Sequence, residues 1–105
     1  MPFIARFSFD VPFGKKPAAL ALCKSWHRLE ATLGWPEARV LEGSIGAPES
    51  RLEFEYQVES LSDLESMWNK LDDPRVAAFM EEEGNDLAPF VVPASNRWQI
   101  FRIRS

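Results

Sequence analysis

The chain has 105 residues, of which 46% are apolar and 27% charged, with a formal net charge of −4. This is enough apolar material for one core and too little chain for two, so residues 1–105 read as a single globular domain. The negative balance opposes the counterion release that drives binding to nucleic acid, and no apolar run nears the roughly 20 residues that cross a bilayer. The N-terminus lacks the basic start and apolar stretch of a signal peptide, so the expectation is a cytoplasmic protein with neither nucleic acid nor membrane as partner.

From Phe3 to Val11 the residues alternate: Phe3, Ala5, Phe7, Phe9 and Val11 share one face, Ile4, Arg6, Ser8 and Asp10 the other. This predicts a strand with one apolar face. From Pro17 to Leu33 the period lengthens, and Ala18, Leu22, Trp26, Leu29 and Leu33 form a helical stripe. Gly34 fits the C-cap of that helix and Pro36 prevents its continuation.

Ala38 to Ile45 predicts a second strand, running into a hairpin loop over 46–50. Arg51 to Glu59 is the clearest strand, with Leu52, Phe54, Tyr56 and Val58 opposite Glu53, Glu55, Gln57 and Glu59. A second helix starts at Ser60 or Ser62, the latter forming a capping box with Glu65, and buries Leu64, Met67 or Trp68, and Leu71. Asp73 and Pro74 restart a helical turn as N-cap and first residue, and Val76, Phe79 and Met80 continue the spacing up to Gly84. An extended connection with an apolar run at 89–93 leads to the last strand, Asn96 to Arg104. That strand carries Trp98, Ile100 and Arg102 on one side and Gln99, Phe101 and Ile103 on the other.

The order βαββαβ predicts an α+β, ferredoxin-like sandwich: a four-stranded antiparallel sheet with two helices on one face. The other face would carry Ile4, Arg6, Ser8, Asp10, Glu53, Glu55 and Gln57. Water can cover such a face. A second copy covers it better, and the expected homodimer interface takes Arg6, Glu53, Glu55 and Arg102, with ion pairs running between subunits.

The run from Gly43 to Leu61 has Ile45 and Gly46 before the hairpin and Glu59, Ser60 and Leu61 ahead of Asp63 and Glu65. It resembles the NIPSNAP family. So do Asp73 and Pro74 with the nearby Phe79, and Pro89, Phe90, Val91 and Val92 followed by Asn96 and Arg97. The resemblance implies the dimeric α+β barrel, in which two ferredoxin-like sheets face each other. Cofactor-independent monooxygenases, lactone isomerases and haem proteins share that group, so fold alone selects no chemistry.

In barrels of this kind ligands are expected between helices and sheet. The one histidine, His27, lies at the border of the first helical stripe and suits a general base or acid, its ordinary pKa being near 6.5. Its competing role is structural, half exposed and hydrogen-bonded to Glu30. Trp26, Tyr56, Trp68 and Trp98 form either an aromatic slot for a flat ligand or ordinary core. Trp35 reads as a loop anchor, and Cys23, the one cysteine, as a small core residue. No Cys/His metal spacing, Gly-rich phosphate loop or G-x-S-x-G elbow occurs, and no metal or cofactor is expected.

Three functions follow from this reading. One is a homodimeric, NIPSNAP-like binder of a small, partly apolar or aromatic ligand. Another is a cofactor-independent monooxygenase or isomerase with His27 as base and Tyr56 and Trp68 orienting substrate. The last is a non-catalytic interaction module.

Overall fold

The computed structural model describes residues 2–104. Strands β1 (Phe3–Asp10) and β3 (Arg51–Val58) lie side by side at the centre, because these two segments alternate most strictly. Their antiparallel register runs from Phe3 opposite Val58 to Asp10 opposite Arg51. The short β2 (Arg39–Glu42) flanks β3 and β4 (Arg97–Arg102) flanks β1, giving the order β2-β3-β1-β4. This is the antiparallel ferredoxin-like sheet expected from the element order. A period of two then sets Ala5 with Tyr56, Phe7 with Phe54 and Phe9 with Leu52 on one face. Helices α1 (Lys16–Thr32), α2 (Leu61–Asn69) and α3 (Pro74–Glu81) cover that face, and their Ala19, Cys23, Leu64, Met67 and Val76 complete one core. No helix is long and apolar enough to cross a membrane.

Local chemistry explains where the elements break. The second helical segment is two helices, α2 and α3, separated by a 3₁₀ turn at Lys70–Asp72. Proline disfavours helical backbone at the residue before it, so Asp73 is extended, and its carboxylate accepts from the Arg75 N–H at 2.8 Å. Ser60, not Ser62, caps α2, accepting from the Asp63 N–H at 3.1 Å. The Ser62 and Glu65 capping box therefore does not form, since Ser62 already lies inside the helix. Strand β2 ends at Glu42, short of the expected Ile45. A Cβ at Gly43 would sit 1.7 Å from the Pro48 carbonyl oxygen, so the hairpin closes there and Ile45 is left fully exposed. Part of the expected extended connection is instead a 3₁₀ turn at Ala88–Phe90.

Helix α1 keeps its expected stripe at Leu22, Trp26, Leu29 and Leu33 but not at Ala18, which is exposed; Ala19 and Cys23 are buried instead, with Glu30 half-buried beside Trp26.

The uncovered sheet face is tied together within the chain. Arg6 stands opposite Glu55 in the register, and its Nη2 donates to Glu55 Oε1 while its Nε lies 3.5 Å from Glu53 Oε2. Arg39 also reaches Glu55, donating from Nε to Oε2 at 3.0 Å. The ion pairs expected between subunits are thus satisfied inside one chain, because direct cross-strand neighbours meet first. Arg102 corrects the expected interface as well. Its strand position pairs it with Phe3, so it lies on the helix-side face, with its guanidinium 5.5 Å from the Phe3 ring centre. Phe101 takes the uncovered face instead, beneath the Arg6 guanidinium at 5.1 Å.

Candidate functional site

The spacing of Cys23, Trp26 and Glu30 brings all three onto the sheet-facing side of α1. There they meet side chains that the central strands and β4 project towards the helices: Phe7, Phe54, Tyr56 and Trp98. Between them, with Trp35, Leu71 and Leu87, lies a cavity of about 180 Å³. Its wall is mostly aromatic. Phe7 and Trp98 stand 5.1 Å apart between ring centres, and Tyr56 and Trp98 6.0 Å.

One ionisable pair breaks this apolar wall. Tyr56, 1% exposed, donates its hydroxyl to Glu30 Oε1 at 2.8 Å. Burial pushes the Glu30 carboxyl up to about 7, more strongly than the tyrosine hydrogen bond pulls it down. Burial, with Glu30 close by, also drives the Tyr56 hydroxyl far above its usual range and the Cys23 thiol up to about 11. At neutral pH, then, Cys23 and Tyr56 hold their protons, and Glu30 is the group whose proton is exchangeable.

The end of α1 places a further aromatic ring here. Gly34 adopts φ +83°, which L-residues avoid, and this lets the chain fold back in a left-handed cap. The Gly34 N–H donates to the Ala31 carbonyl at 3.1 Å and the Trp35 N–H to the Glu30 carbonyl at 3.0 Å. Trp35 is thereby turned edge-on to Tyr56, 5.4 Å between ring centres, and is buried to 7% exposure. Its Nε1 is enclosed and has no hydrogen-bond partner. Such a donor is costly to leave unmatched.

Glu30 and Trp35 also line a more open groove of about 590 Å³, bordered by Lys24, His27, Arg28 and Glu37. His27 belongs to this groove and does not line the aromatic cavity. Its ring sits edge-on to Phe54, 4.7 Å between centres. The expected hydrogen bond to Glu30 is absent: His27 Nε2 stands 4.0 Å from Glu30 Oε1, which instead accepts from Tyr56. Nε2 has no other partner, and burial lowers the histidine pKa, keeping the ring neutral at pH 7.

The structure therefore brings Trp26, Tyr56 and Trp98 to one cavity and leaves Trp68 off its wall. Trp68 is 37% exposed and packs edge-on against Trp98 at 5.6 Å. Trp26 is fixed as a wall by its Nε1, which donates to the Asn85 carbonyl at 3.1 Å, and by Phe79 at 4.8 Å. Glu30 and Trp35 were not expected here. A signal for Glu30 did exist, a carboxylate in line with Cys23, Trp26 and Leu33 on the buried side of an amphipathic helix. Among the described residues no cluster of three or more His, Cys, Asp or Glu side chains is arranged to hold a metal ion.

Comparison with known proteins places the fold. No family model matches the sequence, and no curated protein does. Among solved structures, a NIPSNAP family protein from Agrobacterium tumefaciens superposes with a TM-score of 0.78 at 20% identity, covering 97% of this chain and 92% of that one. An uncharacterized NIPSNAP-like domain protein from Burkholderia xenovorans gives 0.76 at 12% identity, covering 99% and 86%. A mutant of MhuD with two manganese protoporphyrin IX molecules bound per active site gives 0.68 at 20% identity, covering 98% and 95%. The fold is NIPSNAP-like.

Proposed function

Starting from that NIPSNAP-like fold, we propose that the protein is a homodimer that binds a small, partly aromatic ligand between helices and sheet, with Glu30 and Tyr56 facing the ligand's polar part. One observation carries the reading: a largely buried carboxyl, hydrogen-bonded at 2.8 Å to a buried tyrosine, on the wall of an otherwise aromatic and apolar cavity. A core built only for stability gains nothing from such a group, since apolar replacements of buried ionisable residues are often neutral or stabilising.

Size narrows the ligand. A dry apolar cavity of about 150 Å³ accepts benzene, whereas drug-sized ligands occupy roughly 300–1,000 Å³. The space of about 180 Å³ suits a single ring better than the tetrapyrrole bound by one of the fold's neighbours. Thermal-shift and tryptophan-fluorescence titrations with one-ring aromatic compounds test the proposal. Binding should weaken in Trp98→Leu, on the cavity wall, and persist in Trp68→Leu, off it. No response to any ring compound would remove the pocket from consideration.

The homodimer is supported by the uncovered sheet face. Ile4, Leu41 and Phe101 lie there around Arg6, Glu53 and Glu55, and the Glu55 charge is already matched by Arg6 and Arg39. Pairing two such faces buries apolar side chains without stranding a carboxylate. Sedimentation equilibrium checks it: a monomer at micromolar protein ends the dimer proposal.

A second reading, acid–base catalysis on the same ligand, is favoured by the exchangeable proton of Glu30 near neutral pH. Glu30 is then the first candidate base and His27, on the groove side, the second. With a substrate in hand, Glu30→Gln should abolish turnover; full activity in that variant would pass the role to His27, tested by His27→Ala.

A further inference from the structure

We infer that the ligand is an aromatic carboxylate, its ring in the aromatic cavity and its carboxylate in the adjoining groove beside Trp35. The inference rests on the pocket reading above and adds to it the chemical class of the polar end. Cavity and groove adjoin at two shared lining residues, Glu30 and Trp35, so a molecule reaching from one into the other has to slip past or displace those side chains.

The polar atoms at that junction are unevenly matched. Trp35 Nε1 can only donate and has no acceptor; it is enclosed, so the inferred carboxylate meets it only where the indole ring or its cover shifts on binding. His27 Nε2, eight residues earlier on α1, is likewise enclosed and unpartnered, and in the tautomer that carries its hydrogen there it becomes a second donor under the same shift. Lys24 and Arg28 border the same groove one helical turn apart, and among the described residues neither makes an ion pair. Tyr56 spends its hydroxyl hydrogen on Glu30 Oε1, leaving Glu30 Oε2 open, and near neutral pH that carboxyl carries a proton for part of the time.

Donors and cations thus outnumber acceptors around the junction, where Glu37 is the one opposing carboxylate besides Glu30. A group with two acceptor oxygens and a negative charge satisfies the most of them. An amide of the same shape offers one acceptor and brings two donors that find no partner. A hydroxyl offers no charge to Lys24 and Arg28. The aromatic wall, in turn, gives a bare anion such as acetate nothing to bury.

Isothermal titration with phenylacetate and 3-phenylpropionate, each beside its own amide, and with acetate, tests the assignment on the full chain. Each acid should bind about tenfold or more tightly than its amide, a difference of about 1.4 kcal/mol, and acetate should not bind measurably. Trp35→Phe should weaken the acids severalfold and leave the amides nearly unchanged. The double variant K24Q/R28Q, altered at exposed positions and so safe for folding, should do the same and flatten the salt dependence of acid binding. Amides that bind as tightly as the acids, or acids indifferent to K24Q/R28Q, would overturn the carboxylate inference while leaving the pocket standing. Failure of every ring compound to bind would overturn both.

Discussion

Glu30 and Glu55 lie on opposite sides of one sheet, with side chains only 12% and 8% exposed, and their acidities move in opposite directions. The hydrogen bond from Arg6, with help from Arg39, holds the Glu55 carboxyl below the usual carboxylate range. Glu30 has the neutral Tyr56 hydroxyl as its hydrogen-bond partner, so burial prevails and raises it to about 7. Burial alone therefore does not decide whether a carboxylate keeps its charge. What decides is whether a cation stands beside it. The uncovered face is an ionic layer closed within the chain, and the helix-covered face is an aromatic layer with one exchangeable proton.

Substitutions can break this contrast at several strengths. The largest effect separates the two faces by packing. Phe9→Ala, under the helices at 1% exposure, should cost about 3–5 kcal/mol of folding stability by urea unfolding. Phe101→Ala, 44% exposed on the other face, should cost far less in the monomer and, if the proposed homodimer forms through that face, should weaken it instead. Equal losses would mean that the two faces are not distinct in the way described.

Next in size is the pH dependence of Glu30. Its folded pKa of about 7 exceeds the ordinary 4.5, so the folded state binds the proton more tightly. Stability from this group is full below pH 4.5 and is lost as pH rises through 7. Glu30→Gln removes the ionisation, and above pH 7 the variant should be more stable than the parent by on the order of 2–3 kcal/mol, with little difference near pH 4. Thermal unfolding across that range measures it, and a variant less stable at pH 8 than the parent would contradict the shift.

Gly34→Ala comes third. Forcing an L-residue to φ +83° should cost about 1–2 kcal/mol and disturb the turn that positions Trp35, read as lower stability and a changed tryptophan emission. Smallest is Glu55→Gln. Its lowered pKa makes its contribution present above the ordinary 4.5 and lost as pH falls through the folded value. The variant should lose about 1 kcal/mol at pH 7 and nothing in strong acid, the reverse of the Glu30 pattern.

The sequence by itself determined what depends on neighbours along the chain. Alternation over Phe3–Asp10 and Arg51–Val58 fixed both central strands and the faces they present, because the pleat sends successive side chains to opposite sides. Gly34 marked the end of α1 and Asp73 with Pro74 the start of α3, because caps depend on the conformational limits of single residues. Only the tertiary structure decided what meets the flank of α1 beside its expected stripe, seating Glu30 against the Tyr56 hydroxyl and leaving His27 in the groove. It likewise decided that Arg6 finds Glu55 within its own chain and that Arg102 lies under the helices' side of the sheet. Those choices rest on packing and register between segments far apart in sequence, where no local preference reaches.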